Sequence, residues 1–188
     1  MGNLVVDEGV RRVVVGVDGS LGSLQALRRA VTEARLRDRE VWSVLAWSPP
    51  GGEAAYRRSP CPPLLREWRD EQLRRLRQAW DEALGGVPGD LDVSLWVVRG
   101  HPGRVLVEFA GHPDDLLLVG TGRRGRVRRW RGGSTLRHCL AHARCCVVAV
   151  PPSTLEEELT GTFLRRTLTR RTLSRLTLET TPGTPAAE

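Results

Sequence analysis

The residues whose types and spacing can do chemistry gather between Leu116 and Thr135, in the segment LLLVGTGRRGRVRRWRGGST. Gly120, Thr121, Gly122 and Gly125 lie in it among arginines, and Gly133, Ser134 and Thr135 close it. An apolar strand ending in glycine, then a cationic loop, then a helix start is how α/β proteins build a phosphate site. Glycines let the backbone approach an anion, and the free N–H groups of a helix start point toward it. All 29 basic residues are arginine, because the chain contains no lysine. A P-loop lysine, a Schiff-base lysine and a lysine general base are therefore excluded. Phosphate contacts fall to arginine, backbone N–H groups and hydroxyls. The bland alternative is an arginine-rich loop that is merely solvated.

Six arginines of that loop (Arg123, Arg124, Arg126, Arg128, Arg129, Arg131) account for all but one unit of the net charge of +7. Such local basicity favours a small anion over a nucleic-acid face, and the lone Trp130 is thin support for base stacking. The four cysteines, Cys61, Cys139, Cys145 and Cys146, lack zinc-ribbon spacing. His138 and His142, four apart with Cys139 between them, allow a metal site, but exposed histidines and small buried thiols are the expected reading. Cys61, in the loop SPCPP, has no evident activating neighbour.

The elements that must position these residues follow from pattern. Val13 to Val17 is an unbroken apolar run, which marks a strand buried on both faces of a parallel sheet. Asp18-Gly19-Ser20 turns the chain, and Ser20 or Ser23 is placed to cap a helix carrying Leu24, Leu27, Val31 and Ala34 on one face. A second strand is expected at Val41 to Trp47. Residues 48 to 63, rich in Pro and Gly, read as a long loop. A long amphipathic helix from Leu65 ends at Gly85-Gly86. Val93 to Val98 is a third strand. Pro102 opens a helix with Val105, Leu106 and Phe109 inward. Leu116 begins a fourth strand, a helix is expected from Ser134 to Ala143, and Cys145 to Val150 is a last strand before Pro151-Pro152.

Alternation of strand and helix implies a doubly wound five-stranded parallel sheet with helices on both faces. Residues 1 to 152 form this α/β domain. Residues 153 to 188, rich in Thr, Arg and Leu, are expected to be a flexible tail. In such sheets ligands bind beyond the carboxyl ends of the strands, where strand order reverses. Asp18 and Gly120 both stand at carboxyl ends and face one crevice if the first and fourth strands are neighbours. The acidic start MGNLVVDEG does not read as a signal peptide, and no apolar run reaches the length of a membrane span, so the cytoplasm is expected.

The pieces VVVGVDGS, VLAWSPP, VVRGHPGRVLVEFA and LLLVGTGRRG…GGSTLRHCLAHARCCVVAVP, in that order, resemble a universal stress protein domain from about Val13 to Val150. The ATP-binding branch of that family carries Gly, two residues, Gly, nine residues, Gly, then Ser or Thr. Without a gap, Gly120 and Gly133-Ser134 match, and the second glycine position holds Arg123. With Gly122 and Gly125 as the first pair, only seven residues precede Gly133. Both alignments stand open. Arg123 either blocks a close approach or lets the loop offer guanidinium groups instead.

The resemblance implies that Asp18 lies beside the adenosine, that Ala46 lends backbone contacts to adenine, and that the glycine loop with Ser134-Thr135 holds phosphates. It also implies ATP, with or without Mg²⁺, and a homodimer through the last strand, whose bare CVVAV edge would otherwise invite aggregation. A stress-response regulator that binds ATP without efficient hydrolysis is the expected function. No glutamate or histidine is evidently placed as a base, since His101 at a helix start reads as a surface residue. A nucleotide-free dimeric interaction module of the same family is the alternative.

Overall fold

The computed structural model describes residues 11–121 and 129–153, the backbone alone being described for 129–134. Its elements run β1 (Arg12–Gly16), α1 (Leu21–Arg37), β2 (Glu40–Trp47), α2 (Gly52–Arg58), α3 (Pro62–Leu84), β3 (Val93–Arg99), α4 (Pro102–Phe109), β4 (Leu116–Gly120), α5 (Arg129–His142) and β5 (Cys146–Val150). The chain divides into two units, residues 1–152 and 153–188, and every one of these elements belongs to the first.

All four strand pairs are parallel, in the order β3-β2-β1-β4-β5. The central strands obey the rule for a sheet covered on both faces: successive side chains enter opposite layers, and both layers are apolar. Val13, Val15, Leu45 and Leu118 pack with Leu27, Val31, Leu76 and Trp80 of α1 and α3. Val14, Val44, Leu117 and Val119 pack with Leu106 and Phe109 of α4 and Cys139 of α5. In that second layer Trp42 and Trp96 stand 5.4 Å apart, with Phe109 edge-on to both.

Local signals set the helix ends. The Ser20 hydroxyl accepts a hydrogen bond from the Ser23 N–H at 3.2 Å and caps α1. Prolines occupy the first turns of α3 and α4, where a missing N–H costs nothing. Gly85, at φ +76°, closes α3 in the left-handed conformation that glycine tolerates.

Two expectations are corrected. Residues 48 to 63 are not one loop, because α2 occupies Gly52–Arg58. Its seven residues bury no side chain, so no apolar period announces it. A non-local clamp holds it: Arg99, at the end of β3, donates to the Glu53 carboxylate at 2.8 and 2.5 Å and lies 4.5 Å over the Tyr56 ring. The second correction concerns α5, which begins at Arg129 rather than Ser134. Arginine is a good helix former, and it outweighs the Gly132-Gly133 pair that the sequence presents as a break.

Charge also enters the core. Arg12 and Asp115, 2% and 0% exposed, form a bidentate pair at the amino ends of β1 and β4, with Nε and Nη2 donating at 3.2 and 3.0 Å. The same carboxylate accepts the backbone N–H groups of Arg12 and His112 at 3.2 and 3.0 Å, and the guanidinium lies 4.3 Å over Trp42.

Candidate functional site

Strand order reverses between β1 and β4. β2 and β3 extend the sheet from one side of β1, and β4 and β5 from the other. The carboxyl ends of β1 and β4 adjoin, with Gly16 in register with Val119, so the turn after β1 and the residues after β4 border one crevice.

Asp18 is exposed in that turn. One of its oxygens accepts the Ser20 N–H at 2.9 Å, and its own N–H donates to Ser23 Oγ at 3.4 Å. This is the geometry of a turn-forming aspartate, and it fixes the carboxylate at the crevice mouth. Ala46 contributes backbone. The Val44 carbonyl accepts from Val17 and the Trp47 carbonyl from Gly100, so even-numbered residues of β2 face β1 and odd-numbered ones face β3. The peptide groups of Ala46 therefore point past the end of β1.

Gly120 has a structural role that the sequence did not announce. A Cβ there would stand 2.4 Å from Gly22 C and from Ser23 N, both backbone atoms of α1. The start of α1 thus packs directly on the end of β4. Gly22 escaped the sequence reading; its signal was a glycine in a first helical turn, where it weakens the helix unless something approaches closely. Thr121 spends both donors on the end of β5: its N–H and hydroxyl reach the Val150 carbonyl at 2.7 and 3.3 Å.

Gly122, Arg123 and Gly125 lie outside the described residues, as does the tail from residue 154. Gly133, Ser134 and Thr135 lie in the second turn of α5. The expectation that the helix starts at Ser134 is thereby corrected. The N–H groups left free at a helix start are those of its first turn, here from Arg129 onward.

A universal stress protein family profile matches residues 9–151, nearly the whole α/β unit. The chain belongs to the universal stress protein family. It is similar to Universal stress protein MJ0531 of Methanocaldococcus jannaschii, at 28% identity over 144 residues, covering 74% of this chain and 81% of that protein. Among solved structures, UspA from Lactobacillus plantarum is 22% identical over 74% of this chain and 97% of its own, with a TM-score of 0.51. The hypothetical protein MJ0577 gives a TM-score of 0.59 at 15% identity, covering 77% and 97%. A universal stress protein in complex with cAMP is 30% identical over 76% of this chain and 98% of its own, with a TM-score of 0.47. The five-stranded parallel sheet with helices on both faces is the fold of this family.

The packing of α4 against α5 in this stress-protein domain brings three imidazoles together. The His138 and His142 rings stack at 4.2 Å, and His101, at the start of α4, stands 6.1 Å from His138. Among the described residues no group of three or more such ligands is arranged to hold a metal. Desolvation against α4, then His142, His101 and Arg104, push the His138 pKa below its ordinary value. A depressed imidazole pKa means that the unfolded chain binds the extra proton first. His138 thus contributes stability above about pH 6.5, and that contribution is lost as pH falls below it. In urea titrations from pH 8 to pH 5, the stability of the native protein should fall more steeply than that of His138→Gln. Equal slopes would remove His138 from the account.

The thiols are structural or plain. Burial pushes the Cys139 pKa up to about 11, so this thiol stays protonated and unreactive. Cys61 and Cys146 are exposed, and none of the four is in a disulfide.

Proposed function

We propose that this chain is a cytoplasmic regulatory protein that binds an adenine nucleotide, ATP first, in the β1/β4 crevice and does not hydrolyse it efficiently. The observation that carries this reading is the convergence at the switch point. The Asp18 carboxylate, in the turn after β1, and the peptide groups of Ala46, on the neighbouring β2, reach the same end of the sheet. Asp18 suits a ribose hydroxyl or a Mg²⁺ ion carried by the phosphates, and Ala46 suits the edge of adenine. Gly122, Arg123, Gly125 and the start of α5 supply the phosphate grip. Arginine and N–H groups orient phosphates without attacking them, and the chain offers no lysine. His101 is exposed at the start of α4, which supports a surface role rather than one as a base. Four unpaired thiols suit a reducing compartment.

A second reading is favoured by the sheet edge. β5 pairs with β4 alone among the described strands, so its outer edge suits a second copy of the chain. Calorimetry on nucleotide-stripped protein separates the two. ATP should bind with a micromolar dissociation constant, and Asp18→Ala should weaken it about tenfold, the loss of one charge-assisted hydrogen bond. No heat at millimolar ATP, with or without Mg²⁺, would overturn the nucleotide reading. A dimer in sedimentation under those conditions would then leave the interaction module.

A further inference from the structure

A cavity of about 210 Å³ opens beside the amino-terminal half of α3, on the opposite layer of the sheet from α4 and α5. Its walls are Trp47 of β2, Leu65, Arg66 and Arg69 of α3, and Val97 and Arg99 of β3. None of these residues belongs to the β1/β4 crevice. The floor is apolar, made by Trp47, Leu65 and Val97. Trp47 is 8% exposed, and its indole Nε1 is shut off from the open space of the cavity, so the ring offers it an apolar surface.

The rim is cationic. The Arg99 charge is balanced by Glu53, which holds it in a bidentate pair. Arg66 and Arg69 make no hydrogen bond or ion pair with any described residue. Three positions apart on α3, they share one helix face, a spacing that lets both forks reach one carboxylate. The net charge at the mouth is therefore positive and uncompensated. The volume lies below the range of about 300–1,000 Å³ usual for drug-sized ligands, which points to a small one.

We propose that this cavity binds a small monocarboxylate with an apolar body of about six to eight carbons. The body lies on Trp47, Leu65 and Val97, and the carboxylate bridges Arg66 and Arg69. A phosphate dianion suits the site less well, because the walls are apolar apart from the rim arginines. Arg99, held by Glu53 and Tyr56 of α2, bounds the cavity on the β3 side.

Octanoate is the probe, read by NMR on full-length ¹⁵N-labelled protein, with the Trp47 indole signal assigned through Trp47→Phe. Octanoate should shift that signal with a dissociation constant below about 1 mM. Octylamine, of opposite charge, and acetate, which lacks the body, should leave it in place. Arg66→Gln combined with Arg69→Gln should weaken octanoate at least tenfold while the other indole signals keep their positions. Because both sites are exposed, the doubly substituted protein is expected to fold. Saturating ATP should not displace octanoate. Octanol binding as tightly as octanoate, an unshifted Trp47 signal at 10 mM octanoate, or displacement by ATP would each overturn the proposal. Failure of ATP to bind leaves every one of these readings intact.

Discussion

Asp115→Ala is expected to destabilise the fold by about 3–5 kcal/mol, enough to leave the domain partly unfolded at 37 °C. The carboxylate meets four donors, two from the Arg12 guanidinium and one each from the backbone of Arg12 and His112. Removing it strands a guanidinium that is 2% exposed, beside the face of Trp42 and with Glu40, its register partner on β2, as a nearby carboxylate that makes no hydrogen bond to it. It also leaves two buried or part-buried N–H groups without their acceptor. The pair itself is not worth that figure, because two charges had to be taken out of water to make it. Replacing both members, Arg12→Met with Asp115→Leu, should recover much of the loss. Urea denaturation of the three proteins checks this. A single substitution costing under about 1 kcal/mol would mean that water reaches the guanidinium at this site.

Gly120→Ala is the second large effect. The new methyl would meet Gly22 C and Ser23 N at 2.4 Å and Gly22 O at 2.6 Å. All three are main-chain atoms, so no rotamer change relieves the clash, and the start of α1 must move away from β4. A cost at or above the upper end of about 1–3 kcal/mol is expected, the range for forcing an extra carbon into a packed interior. The Asp18 turn and the Ser20 cap would move with it, so nucleotide affinity should fall as well. The informative measurement is stability with no nucleotide present. A glycine needed only for a phosphate to approach would leave the ligand-free protein unchanged. A glycine needed for α1 to seat on the sheet would not, and Gly120 is of the second kind whatever it also does for a ligand.

Several features were legible because their causes are local. The apolar run at Val13 to Val17 marks a strand buried on both faces, and Ser20, Pro102 and Gly85 mark helix ends through their own backbone chemistry. The parallel sheet and its helices follow from the alternation. α2 was not legible, because its seven residues carry no apolar face and answer to Arg99, 46 positions away from Glu53. The early start of α5 was hidden by a glycine pair that normally breaks helices.

Residue types and spacing by themselves determined the fold class and the family, since each depends on patterns read within a few residues. The tertiary structure alone decided that β1 and β4 are neighbours, that Ala46 turns its peptide groups past the end of β1, and that Gly120 is a seat for α1. It alone paired Arg12 with Asp115 across 103 residues and gathered Trp47, Arg66 and Arg69 around one cavity. These are contacts between distant segments, and nothing in the local chemistry of either partner encodes the distance to the other.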